Sequence, residues 1–250
     1  DSTKDRGVSW LPLYHDMGLV ACFLLPFLTK TRLVAMSPFD WVKRPVMLPE
    51  AITRFRGTLC WLPNFAYNFL AQNVREASTE KIDLSSLRGV VNCSEPIMAE
   101  SHRLFLERFA PLGFRAESLA ASYAMAENTF AVTSGGFSAP LVEDCIDGRA
   151  LARTGRAEPV DPATPGAKWL ASSGRALPNT AVEIIDDQGR PLPDRWLGQI
   201  VIQSSCLLSE YFRNEEQTRQ AIRDGKFWTG DMGYLVGNEL FVTGRKKDMI

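Results

Sequence analysis

Short apolar runs alternate with amphipathic stretches over the first half of the chain, up to about Phe130. The runs "VSWLPL" (8–13), "RLVAM" (32–36), "TLCWLP" (58–63) and "GVVNCSE" (89–95) have the length and composition of strands. Between them, "HDMGLVACFLLPFL" reads as a buried helix, and "RPVMLPEAITRF", "NFAYNFLAQNV" and "MAESHRLFLERFAPLG" read as amphipathic helices. Strands alternating with helices predict an α/β fold, a parallel sheet with flanking helices joined by right-handed crossovers.

The pattern changes twice. From Phe137 to Ser173 periodicity weakens while Gly, Pro and charged residues rise, which predicts a long loop. A loop of that length inside a compact domain is usually functional or mobile. From Gly174 onward short strands dominate: "TAVEIID", "GQIVIQS", "FWTGDMGYLV" and "ELFVTGR", with one helical stretch, "NEEQTRQAIRDG". A small β-barrel-like subdomain or a curved antiparallel sheet is the natural reading. The predicted organisation is an α/β subdomain over 1–136, an inserted long loop over 137–173 and a β-rich subdomain over 174–250.

Composition narrows the function classes. The 250 residues carry a formal net charge of −1 with both signs interspersed, so the basic footprint of a nucleic-acid binder is missing. The five cysteines fall in no metal or redox spacing, and with only His15 and His102 a zinc site is not expected. Unpatterned thiols point to a reduced, cytoplasmic protein. The apolar run 19–28 is interrupted by Pro26 and is far short of the ~20 residues of a membrane-spanning helix. The chain opens on Asp1 and closes within "GRKKDMI", which reads as a fragment of something longer.

Five short motifs carry candidate chemistry. "YHDMG" places His15 and Asp16 at the top of a helix, where Asp16 also suits a plain helix cap. "NCSEP" puts small and polar residues, Ser94, Glu95 and Pro96, at a strand end, the place where open α/β sheets bind ligands. "SYAMAENTF" offers the Tyr123 ring for stacking and the Glu127 carboxylate for a hard cation such as Mg²⁺. "WTGDMGYL" sets Asp231 between glycines, where one carboxylate can take two hydrogen bonds from a sugar diol. "GRKKDMI" offers Arg245, a fixed and always-charged fork suited to ribose or phosphate. Taken singly, each motif is weak, and an ordinary cap, turn or surface loop accounts for it.

Their order and spacing together resemble the motif series of the adenylate-forming superfamily, which includes acyl-CoA synthetases, luciferases and peptide-synthetase adenylation domains. The resemblance spans nearly the whole chain. It implies an N-terminal domain, in part, of an enzyme that joins a carboxylic acid to ATP, giving an acyl adenylate and pyrophosphate, and then passes the acyl group to a thiol. By motif, Glu127 would bind Mg²⁺ and Asp231 the ribose hydroxyls, with Arg245 assisting. Tyr123 would stack on adenine, with Ser94, Glu95 and Pro96 on its other face. His15 would stand near the acyl carboxylate and the α-phosphate, and Lys247 would be the hinge to a further domain.

The wording "PLYHDMGL" and the long segment after Glu127, ending in "SSGRALP", look most like the fatty acyl-AMP ligase branch. That resemblance implies a fatty acid substrate and, as acceptor, an acyl carrier protein or a polyketide or peptide synthase module rather than CoA. Trp10, Leu13 and Phe65 would line part of the acyl pocket. Ala124 departs from the family's usual glycine, adding a methyl group near the adenine. The family's phosphate loop and catalytic lysine are not among these residues, so the chain by itself is expected not to catalyse adenylation. A fatty acyl-CoA synthetase and a non-catalytic binding module are the alternatives.

Overall fold

The computed structural model describes residues 2–137 and 139–248. Asp1, Ser138 and the last two residues of the fifth motif, Met249 and Ile250, lie outside them. Two compact units result: residues 1–121 with 136–141, and residues 122–135 with 142–250. They cut the chain differently from the division expected at 136 and 173.

The first unit is the predicted α/β layer. Strands β1 (Arg6–Ser9), β2 (Arg32–Ala35), β3 (Leu59–Leu62), β4 (Gly89–Asn92) and β5 (Leu119–Ala121) pair in parallel in the order β2-β1-β3-β4-β5. The crossovers are α1 (Leu25–Thr29), α2 (Pro38–Lys43), α3 (Met47–Phe55), α4 (Asn64–Asn73) and α5 (Ala99–Phe109). The helices α3, α4 and α5 turn apolar stripes to the sheet, burying Leu48, Ile52, Tyr67, Leu70, Phe105 and Phe109 near strand residues Leu62 and Val90. The Tyr67 hydroxyl donates to the Val90 carbonyl (3.1 Å), so its polar tip is paired inside the core.

The helix expected to be buried after His15 is only half so. It begins as a π-helical stretch, Met17–Leu24, and continues into α1. Met17, Gly18, Ala21 and Cys22 are buried, whereas Phe27 and Leu28 are 71% and 75% exposed. Its apolar residues run all round the axis, and only one side meets the sheet. Trp10, expected at the acyl pocket, is 5% exposed and lies flat on Trp41 at 3.9 Å between ring centroids.

The second unit holds the predicted antiparallel strands. β6 (Thr133–Gly136) meets β9 (Arg175–Ala176), and β10 (Thr180–Ile185), β11 (Gly198–Ser204), β12 (Ile222–Arg223), β13 (Lys226–Val236) and β14 (Glu239–Arg245) form one sheet. The order is β10-β11-β13-β12, with β14 also on β13. Among the described residues no pairing joins β10 to β12 or β14, so this is an open sheet and not a closed barrel. The helix α7 (Glu215–Ala221) precedes β12 and is capped by the Asn214 side chain.

The segment 137–173 is not the loop its weak periodicity predicted. It contains β7 (Glu143–Asp147), α6 (Gly148–Thr154) and β8 (Ala167–Ala171), with β7 and β8 paired over five residues. Asp147 caps α6, accepting from the Arg149 and Ala150 N–H groups. The piece is fastened by Asp144, whose carboxylate takes the Tyr234 hydroxyl (2.9 Å) and the Arg195 guanidinium (3.0 Å). Ile146, Leu151 and Leu170 then complete an apolar cluster with Tyr234 and Phe241.

Candidate nucleotide site

Within the second unit, β13 and β14 carry two of the predicted residues into contact. Asp231 and Arg245 are cross-strand partners, and Arg245 Nε lies 3.3 Å from Asp231 Oδ1. A bulge follows immediately, between Met232 and Gly233. Bulges twist a strand and re-aim its side chains, and here one sits beside the carboxylate. It also needs Gly233. A Cβ there would stand 2.5 Å from the Phe241 carbonyl oxygen.

Tyr123 reaches the same carboxylate from the other end of the unit's chain. Its hydroxyl donates to Asp231 Oδ2 (2.5 Å), and its ring belongs to the cluster of Val132, Ile200, Ile202 and Phe227. The sequence offered this ring for stacking; the structure gives it a buried body, 8% exposed, and a hydroxyl committed to Asp231. Burial, and then the neighbouring Asp231 charge, push the Tyr123 hydroxyl well above its ordinary pKa, so it stays a donor. Burial likewise raises the Asp231 pKa, partly offset by the Tyr123 hydrogen bond and the Arg245 charge.

Glu127 stands on a 3-10 turn, Ala126–Asn128, and lines the same open cleft as Asp231 and Arg245. The cleft measures about 520 Å³, and Met125, Tyr211, Trp228 and Thr229 contribute to its walls. Its charge is mixed: the Asp231–Arg245 pair, the Lys246–Asp187 pair (2.7 Å) and the Arg223 guanidinium over the Trp228 ring at 4.5 Å. That combination of a flat aromatic face, fixed cations and three carboxylates, Glu127, Asp187 and Asp231, suits a small anionic ligand with a planar ring. Among the described residues no cluster of three His, Cys, Asp or Glu side chains could hold a metal ion. The Glu127 carboxylate can offer an oxygen ligand to a cation that arrives on phosphates.

The remaining predicted residues belong to the first unit, apart from Lys247. His15 is half exposed, with Nδ1 2.8 Å from Asp16 Oδ1 and 3.2 Å from the Met17 nitrogen. Asp16 accepts the Met17 N–H (2.8 Å), the cap its position suggested. Gly18 is required by close approach, since a Cβ would fall 2.1 Å from the Pro12 carbonyl oxygen. Met17 joins two motifs, because its sulfur lies 2.9 Å from Cys93 Sγ and 3.8 Å from Ser94 Oγ. Ser94 has a left-handed backbone (φ 70°), and it, Glu95 and Pro96 are exposed. Glu95 accepts the Phe65 N–H at the start of α4 (2.9 Å), a structural use its motif did not reveal. Lys247 is exposed in the short turn Lys246–Asp248. Tyr211 had no part in the sequence reading of the site, and Trp228 and Thr229 stood in its fourth motif without a role of their own. The only hint of Tyr211 was an aromatic residue just before a polar helix start.

Comparison with known proteins places these observations. Residues 1–212 match the family described as AMP-binding enzyme. A Caulobacter vibrioides protein that carries the name acyl-CoA synthetase is 34% identical over 248 residues, covering 99% of this chain and 43% of that protein. A medium-chain-fatty-acid–[acyl-carrier-protein] ligase of Teredinibacter turnerae is 31% identical over 261 residues, 97% of this chain and 40% of its own length. Among solved structures, a fatty acyl-adenylate ligase from L. pneumophila, in complex with acyl adenylate and pyrophosphate, superposes with a TM-score of 0.92 at 34% identity. It covers 99% of this chain, which spans 44% of it. The chain thus spans less than half the length of these relatives.

Proposed function

The chain belongs to the AMP-binding enzyme family, and on that premise we propose that it forms the nucleotide-holding part of a fatty acyl-AMP ligase. The proposed reaction joins a fatty acid to ATP. A carboxylate oxygen attacks the α-phosphorus, pyrophosphate leaves, and acyl-AMP remains. The phosphopantetheine thiol of an acyl carrier protein, free or within a polyketide or peptide synthase module, then takes the acyl group and AMP departs. The observation that carries this reading is that Glu127, Asp231 and Arg245 line one cleft, with the Tyr123 hydroxyl bonded to Asp231, although the four come from distant parts of the sequence.

In this reading the chain's own groups orient and neutralise, and the bond changes belong to the substrates. Asp231 accepts the two ribose hydroxyls. Arg245 and the Tyr123 hydroxyl hold that carboxylate in place while it does so. Tyr123 is assigned to the adenine and, by the family motif alone, so are Ser94, Glu95 and Pro96 of the first unit. Glu127 would hold a Mg²⁺ carried by the phosphates, which would supply charge neutralisation there. His15 is assigned to the acyl carboxylate and α-phosphate, and Lys247 to the hinge of a following domain. Five free thiols suit the reducing cytoplasm. The carrier-protein acceptor is supported by the name of the Teredinibacter relative and by the fastened β7–α6–β8 piece in the segment that resembles the ligase branch.

The name of the Caulobacter relative favours a second reading, with CoA as the acceptor. Two measurements decide. ATP–pyrophosphate exchange with fatty acids of several lengths, on the longest natural form of the protein, tests adenylation; no exchange with any acid removes the enzyme reading. Radiolabelled acyl transfer offered to CoA and to a phosphopantetheinylated carrier protein in parallel tests the acceptor. Preference for CoA would replace the first reading by the second. These 250 residues by themselves are expected to bind nucleotide without exchange, and turnover by them would show that the phosphate loop and distal lysine of the family pattern are dispensable.

A further inference from the structure

Glu127 is gripped by the segment between β11 and α7. The Leu208 N–H donates to the Glu127 carbonyl (2.8 Å), and Thr129 Oγ1 donates to the Cys206 carbonyl (3.1 Å). From the same segment, the Tyr211 hydroxyl donates to Glu127 Oε1 at 2.9 Å. Tyr211 is itself held, because its N–H donates to Thr218 Oγ1 on α7 (2.9 Å). Thr218 in turn donates to the Asn214 carbonyl at the cap of that helix (2.8 Å). No second hydrogen bond or ion pair to the Glu127 carboxylate is seen among the described residues. One oxygen is occupied, and Oε2 is left over.

A glutamate side chain left to itself spreads over several rotamers. Toward a carboxylate, a phenol can only donate, so it selects which oxygen is held and which is presented. Mg²⁺ tolerates little deviation from octahedral geometry, so a ligand aimed in advance binds it better than one that must first be ordered.

We propose that Tyr211 is a positioning residue, which holds Glu127 so that Oε2 is the oxygen presented to the divalent cation of a bound nucleoside triphosphate, with Thr218 fixing Tyr211 in turn. This deepens, and rests on, the reading of the cleft as a nucleotide site. Burial, followed by the hydrogen bond to Glu127, pushes the Tyr211 hydroxyl up to about 12, so it remains a donor throughout the working pH range.

The test separates the two readings. AMP, which needs no cation, is titrated calorimetrically into the protein; then Mg²⁺ is titrated at a fixed ATP concentration. Tyr211→Phe is expected to raise the half-saturating Mg²⁺ concentration about tenfold, the scale of one hydrogen bond to a charged group. AMP affinity is expected to change by much less. Glu127→Gln should shift the Mg²⁺ requirement at least as far, and Thr218→Val by a smaller factor in the same direction. If AMP fails to bind the unaltered protein, the nucleotide reading and this inference fall together. If AMP binds but Tyr211→Phe leaves the Mg²⁺ requirement unmoved, the inference alone is wrong. Equal weakening of AMP and of Mg²⁺-dependent binding would make Tyr211 merely structural, and also overturns it.

Discussion

Asp231 holds a charge where the surroundings resist one. Its side chain is only 15% exposed, and burial raises its pKa, with Tyr123 and Arg245 pulling the other way. If it receives the two hydroxyls of a ribose, each bond to the carboxylate contributes roughly 1.5–3 kcal/mol. Asp231→Asn is therefore expected to weaken AMP binding by about ten- to a hundredfold, read as a Kd by calorimetry. The sign of the pH effect follows from the raised pKa. Protonation sets in at a higher pH than for an ordinary aspartate, so AMP affinity should begin to fall while the solution is still above the usual carboxylate range. In the Asn variant that fall should be absent. An affinity that is flat with pH in both proteins would show that the carboxylate does not meet the ligand.

At the scale of elements, the β13–β14 hairpin does two jobs through one irregularity. The bulge at Met232 and Gly233 lets Asp231 and Arg245 face each other while Tyr234, three residues after Asp231, and Phe241, four before Arg245, stack at 5.0 Å in the core. Gly233→Ala would press a methyl group onto the Phe241 carbonyl. The expected cost is about 1–3 kcal/mol, measured as a lower urea midpoint with an unchanged slope. Because the strain falls between the two ends of the ion pair, AMP binding should weaken in the same variant. Stability lost with binding intact would mean that bulge and site are independent. The same scale explains why 137–173 misled. β7 (EDCID) and β8 (AKWLA) show no charged–apolar alternation and last only five positions, and α6 spans seven, too short for helical periodicity to register against the surrounding Gly and Pro. What orders them is Asp144 meeting Arg195 and Tyr234, partners 51 and 90 residues away.

For the molecule as a whole, stability should depend on pH through a histidine that has no part in the proposed chemistry. His102, 3% exposed on α5, has its Nε2 2.8 Å from the Asn92 amide, and burial lowers its pKa to about 4. It is neutral in the fold, whereas the unfolded chain binds the proton near 6.5. The stabilisation is complete above 6.5 and is lost as the pH falls towards 4, by up to about 3 kcal/mol. Thermal melts between pH 7 and 4 should show a falling Tm, and His102→Gln should flatten the trend. The sequence by itself determined the parallel α/β layer, the antiparallel sheet that follows and the candidate residues Glu127, Asp231 and Arg245. Hydrophobic period is a local property, and the chemistry a side chain can perform is intrinsic to it. Only the tertiary structure decided that Tyr123 spends its hydroxyl on Asp231, that Tyr211 bonds Glu127, that Trp10 stacks on Trp41, and that the strands after Gly174 stay open. Each of these is a contact between residues far apart along the chain, and which groups desolvate together depends on how the elements pack, which no local pattern encodes.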